Sequence, residues 1–167
     1  MSLPIAQILS GTPLWVYGLF AFLTQRGLRR LQPGVSSLGK VLLMPGVFIV
    51  WGLIGLFQRG IAEAITPWLA GLVAGVALSA FERLTLQVDP QRRLVYQAGS
   101  VLPLVRILAI FVGHYVLNVA AAMHPAEHAM YMSWDAVVSG ASAGYFAGWA
   151  LKFWRAYRTA PRVELSA

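Results

Sequence analysis

The chain contains no cysteine, which excludes disulfides, thiolate nucleophiles and cysteine-ligated zinc or iron–sulfur centres. It is also short of charge: 11% of its 167 residues are Asp, Glu, Lys or Arg, against about 25% in an ordinary soluble domain. With 58% of the residues hydrophobic, too little polar side chain remains to cover a globule, and a membrane class follows. A third shortage lies at the N-terminus. No Lys or Arg precedes Arg26, so Met1-Ser2-Leu3-Pro4-Ile5 lacks the positive region of a cleavable signal and is expected to stay in the mature protein. Also missing are a Gly-rich phosphate loop, a nucleophile elbow and a paired-carboxylate constellation. No catalytic residue and no cofactor is therefore assigned.

What the chain does have is five apolar stretches, each near the ~20 residues that cross hydrocarbon. They predict helices at about 3–31, 38–58, 62–83, 101–123 and 133–157. Barrel strands would alternate, and these runs do not. The fold class expected is an all-α integral membrane bundle of five transmembrane helices, forming one domain over 1–167. Thr12-Pro13 and Thr66-Pro67 each offer a hydroxyl N-cap with Pro at the first helical position, where a missing N–H costs nothing. The first of these predicts a break near Gly11-Thr12-Pro13. Met44-Pro45-Gly46 predicts a bend in the second helix.

Basic residues set the orientation, because Lys and Arg collect on the cytoplasmic side. All 13 except Arg59 flank the first loop, the third loop or the end of the fifth stretch. The N-terminus is then expected outside and the C-terminus in the cytoplasm. Trp15, Trp68 and Trp134 fall near the outer boundary, Trp154 and Tyr157 near the inner one, as interfacial aromatics do. The net charge of +7 sits beside the membrane rather than along one soluble stripe. The partners expected are the bilayer and anionic lipid at its cytoplasmic face, not nucleic acid.

Between the third and fourth stretches, Leu84, Leu86 and Val88 alternate with polar residues, and Leu94, Tyr96 and Ala98 resume the pattern after Asp89-Pro90-Gln91-Arg92. A short cytoplasmic β-hairpin is expected at about 84–98, with Arg92 and Arg93 at its tip. It reads either as a docking element or as a compact cover on helix ends. Gly140, Gly144 and Gly148 repeat every fourth residue, as do Gly71 and Gly75, so each set lies on one side of its helix and admits a close backbone. These faces serve either packing inside the bundle or a homo-oligomer or membrane-protein partner.

Ionisable groups within a membrane are costly and frequently functional. On the fourth stretch, His114 and Asn118 project within about 40° of each other and Arg106 about 80° from His114, a broad shared polar face. His114 reads either as a neutral imidazole bonded to a helix neighbour or as a proton relay, haem ligand or substrate contact. His124-Pro125-Ala126-Glu127-His128 has the H-x-x-E-H order of a zinc peptidase, but Pro125 interrupts the helix that chemistry needs. With Asp135, the residues His124, Glu127 and His128 form a candidate divalent-metal cluster at the outer surface. The alternative is a solvated acidic loop.

Five hydrophobic segments, a hairpin at Leu84 to Ser100 flanked by Glu82-Arg83 and Arg106, and the small-residue repeat of the fifth segment give the chain a layout that resembles a family of small proteobacterial inner-membrane proteins of unknown function. The resemblance implies a bacterial inner-membrane location and brings no activity or site residues. Three functions stand as expectations. The first is a membrane-embedded interaction, assembly or scaffold protein. The second is a small-solute or proton transporter or channel using the polar face around His114. The third is a membrane enzyme or metal-binding protein using the outer His124, Glu127, His128 and Asp135.

Overall fold

A computed structural model describes residues 12–29 and 31–164. The stretch expected over 3–10 and Gly11 lie outside the described residues. The described chain is mostly helical, in the order α1 (Leu14–Arg29), β1 (Gly34–Ser37), α2 (Leu38–Gln58), α3 (Ile61–Ala80), β2 (Leu86–Asp89), β3 (Leu94–Gln97), α4 (Leu102–Met123), a 3-10 turn (Pro125–Glu127) and α5 (His128–Thr159). Three of the helices, α2, α3 and α4, are long and apolar enough to cross a membrane. At 16 residues α1 is shorter, and α5 is not among the three by composition.

The exceptional helix is the central one. α5 packs on α2, α3 and α4 and buries Asp135, Ser139 and Ser142 together with Phe146, Trp149 and Phe153. These positions recur at intervals of three and four, one inward stripe. The helices around it turn large apolar side chains outward, among them Leu43, Val50, Trp51, Val73 and Val116. Polar groups inside and apolar groups outside is the reverse of a water-soluble fold and what lipid surroundings favour.

Small residues set how closely the helices meet. A Cβ on Gly71 would collide with the carbonyl of Val137, on Gly75 with that of Ala141, on Gly140 with that of Trp68, and on Gly144 with that of Leu72; at Gly148 it would strike the Ser79 hydroxyl. All five glycines thus serve one interface, α3 against α5. Gly52 does the same for α2, where a Cβ would lie 2.8 Å from the Ala143 Cβ. The Gly52 carbonyl accepts from Trp68 Nε1 at 3.2 Å and from Ser139 Oγ at 3.4 Å.

Several expectations need correcting. Thr66-Pro67 does not start a helix. The turn from α2 is made by Arg59 and Gly60, whose φ of 86° suits glycine, and α3 begins at Ile61 with Pro67 already inside it. Trp68 is 6% exposed and belongs to the core, not to an aromatic belt; Trp15 and Trp134 are exposed. α2 continues through Met44-Pro45-Gly46 with Pro45 inside it, as a bent helix also would. α5 starts at His128 rather than near 133, since only the Pro125–Glu127 turn separates it from α4.

The hairpin forms as expected, but as part of a three-stranded antiparallel sheet ordered β1-β3-β2. Its turn is tied by Asp89 Oδ1, which accepts from the backbone N–H of Gln91 and of Arg92, both at 3.1 Å, an Asx-type turn. Arg93 closes it at a φ of 53°. Beyond β2, Val88 exchanges backbone hydrogen bonds with Pro161 and Val163, so the C-terminal segment extends the sheet. Val88 and Val95 pack on Val41, Trp149 and Phe153. A two-stranded hairpin is marginal alone, and here the ends of α2 and α5 supply the surface that holds it.

Candidate functional site

Two ionic clusters interrupt the apolar bundle, and α5 contributes to both. The first centres on Asp135, whose side chain is 0% exposed. Arg59, just past α2, forms an ion pair with its Oδ2. From α4, the ring of His114 lies with Nδ1 2.5 Å from Oδ1, and Asn118 Nδ2 donates to the same oxygen at 3.1 Å and to the His114 carbonyl at 2.8 Å. Gly55 makes room for the arginine: a Cβ there would press on the Arg59 guanidinium and on Ser139 Oγ.

The donors determine the chemistry. Arginine cannot lose its proton in a protein, so its contact keeps Asp135 ionised and acceptor-only. Nδ1 of His114 must then carry the hydrogen. Nε2 is left as the basic nitrogen of a ring that keeps 24% of its side-chain surface exposed. A carboxylate that fixes the tautomer and orientation of an imidazole is how proteins prepare histidine to take up or release protons at its other nitrogen.

The second cluster lies toward the sheet. Glu82, after α3, accepts from Arg106 Nη1 at 3.1 Å, from Trp149 Nε1 at 3.3 Å and from the Tyr145 hydroxyl. Arg106 also donates to the Tyr145 hydroxyl at 2.8 Å and stacks over the Tyr145 and Phe146 rings at 4.7 and 4.9 Å. Lys152 caps the end of α3, donating to the carbonyls of Ser79, Ala80 and Glu82. α4 and α5, antiparallel, are thus joined by two polar rungs, His114/Asn118 with Asp135 and Arg106 with Tyr145. Along α5 the Asp135 and Tyr145 positions are about 15 Å apart at 1.5 Å per residue. Ser139 and Ser142 occupy the stretch between, with Ser142 Oγ donating to the Ser139 carbonyl at 2.9 Å.

Of the residues chosen from sequence, His114 and Asn118 do meet. Arg106 belongs to the other cluster, because Glu82 and Tyr145 face its level of α4. Asp135 is not on the outer surface with His124, Glu127 and His128; it faces inward, about two helical turns along α5 from His128. His124 Nδ1 lies 3.1 Å from the Ala120 carbonyl and His128 Nδ1 3.4 Å from that of Ala121. Among the described residues no three of His, Asp and Glu come together as a metal set. Arg59, Glu82 and Tyr145 were missed. A signal for the inward position of Asp135 did exist: it falls four residues ahead of Ser139 and seven ahead of Ser142, on the stripe the small residues mark.

No family model matches the chain, and no curated protein and no solved structure matches it.

Proposed function

We propose that the chain is a multi-pass integral membrane protein of the transporter or channel class, in which His114, oriented by Asp135, passes protons within the helical bundle. The observation that carries this reading is the His114–Asp135–Arg59 cluster: a fully buried carboxylate drawing Arg59 from the α2–α3 turn and His114 and Asn118 from α4 into the bundle, costly to place there and typical of ion and proton pathways. Ser139, Ser142 and Tyr145 continue the polar stripe along α5 toward Glu82 and Arg106. The five-span topology belongs to the same proposal. α5 need not be apolar, because the other helices shield it, and α1 would cross together with residues before Leu14. The charge distribution supports an outside N-terminus with the sheet in the cytoplasm, and the family resemblance supports a bacterial inner membrane.

The assembly reading rested on the small-residue faces, and α3 and α5 of the same chain occupy these. The metal-enzyme reading rested on an outer cluster from which Asp135 is withdrawn. The test is proton flux, driven by an imposed pH gradient, into vesicles reconstituted with the purified protein. Wild type should conduct and His114→Gln, which keeps a donor for Asp135, should fold but not conduct. Vesicles holding wild type that are no more permeable than empty ones would overturn the proposal.

A further inference from the structure

At the sheet end, a cavity of about 900 Å³ opens between α1, the first turns of α2 and the start of α4. That is within the roughly 300–1,000 Å³ of ligand pockets. Four cations border it: Arg26 and Arg29 from α1, Lys40 from α2 and Arg83 after α3. Among the described residues none of the four has an ion-pair partner. The one carboxylate on the wall, Glu82, is already committed to Arg106, Trp149 and Tyr145. Arg106 borders the same space, and its Nε has no hydrogen-bond partner among the described residues. Like charges around a low-dielectric concavity focus a positive field that an anion relieves.

Another part of the lining is of the opposite kind. Phe22, Met44, Pro45, Ile107 and Phe146 give it apolar walls. Among the described residues α1 packs on α4 and makes no comparable contact with α2, so the α1–α2 wall is an opening rather than a seam. Phe22 and Leu43, on those two helices, are exposed. A small inorganic anion would satisfy the cations and leave this apolar slot empty. An acyl chain alone would do the reverse.

We propose that the cavity binds a phosphate-bearing anionic amphiphile. Its headgroup is held by Arg26, Arg29, Lys40 and Arg83, and its chain lies in the opening between α1 and α2 against Phe22 and Met44. The guanidinium groups suit phosphate because their forked donors match two of its oxygens. The site is independent of proton movement at His114, which lies on the other polar rung.

The test uses the full chain in mild detergent, titrated with short-chain phosphatidylglycerol, short-chain phosphatidylcholine or inorganic phosphate, and followed by thermal unfolding and by native mass spectrometry. Phosphatidylglycerol should raise the unfolding midpoint and remain bound, with phosphatidylcholine weaker. The double variant Arg29→Gln/Lys40→Gln, both at exposed positions, should bind phosphatidylglycerol at least about tenfold more weakly, the loss of one to two charge-assisted bonds. Arg155→Gln, on α5 away from the cavity, should bind as wild type. Arg29→Gln alone should weaken phosphatidylglycerol binding several-fold, which preserves the test if the double variant folds poorly. Phosphate binding as tightly as phosphatidylglycerol and competing with it would keep the phosphate site and assign it to a soluble ligand. Equal binding of both lipids, or equal binding by wild type and the double variant, would overturn the proposal.

Discussion

Arg59 and Asp135, 76 positions apart in sequence, form an ion pair in which the carboxylate is completely buried. The arginine reaches it from the turn between α2 and α3, along the groove that Gly55 leaves open. The pair therefore couples the α2–α3 corner to the central helix, and through His114 and Asn118 it couples both to α4.

Breaking such a pair is expected to be far worse than removing it. Arg59→Gln leaves an unpaired buried carboxylate and should destabilise by about 3–5 kcal/mol, as should Asp135→Asn, which strands the guanidinium. The double variant Arg59→Gln/Asp135→Asn should lose less than the sum of the two. A double-mutant cycle measured by denaturant unfolding in detergent checks this; purely additive losses would mean that the two side chains do not interact.

The glycines divide into two groups that a single substitution separates. Gly144→Ala places a methyl against the Leu72 backbone, which cannot move without parting α3 from α5. It should cost several kcal/mol, the range of overpacked cores, and Gly144→Leu more. Gly46→Ala meets nothing within 4 Å and sits inside α2, so it should be neutral or stabilise by up to about 1 kcal/mol through helix propensity. Thermal midpoints of the variants test this, and Leu151→Ala, at an exposed site, is the control that should stay near wild type.

The orientation is tested by reporters inserted into loops. A reporter active only in the cytoplasm should work at Gln91, in the hairpin turn, and fail at Ala126, in the turn between α4 and α5. The reverse pattern would overturn the charge argument that places the sheet inside.

Hydropathy alone located α2 and α4 to within a residue or so, because their outward faces are uniformly apolar and their ends are marked by polar or turn residues. It truncated α5, because Trp134-Asp135 looks like the rim of a loop when read locally. The helix in fact begins five residues before the expected start, at His128, and Asp135 is inward only because Arg59, His114 and Asn118 meet it there. β1 was invisible: Gly34-Val35-Ser36-Ser37 has no alternation and becomes a strand only by pairing with β3. The glycine spacing was legible, and it named the right faces. Their partner was not, since four-residue spacing reads alike for a helix of the same chain and for a second copy. Glu82 and Tyr145 escaped notice for the same reason, each unremarkable until Arg106 brings them together.

Lys152 offers the most local test of how α5 holds its neighbours. The last carbonyls of a helix have no N–H partner within it, and at the end of α3 the ammonium of Lys152 supplies three donors, at 3.0, 2.8 and 2.6 Å to Ser79, Ala80 and Glu82. A cation there also answers the negative end of the helix dipole. Lys152→Met keeps the apolar stem and removes the donors, and should cost about 1–3 kcal/mol, the scale for hydrogen bonds to a charged group. Lys152→Arg should recover part of that, and Arg155→Met, exposed one turn away, should stay within about 0.5 kcal/mol. The more telling readout is amide hydrogen exchange. The N–H groups of Phe81 and Glu82 bond back to Leu78 and Ser79 at 3.2 and 3.3 Å and close the final turn. In Lys152→Met their exchange should accelerate well before that of residues in the middle of α3, because the end of the helix frays while its glycine-packed centre holds. Unchanged protection at Phe81 and Glu82, with stability equal to wild type, would show that the α3 terminus does not depend on this contact.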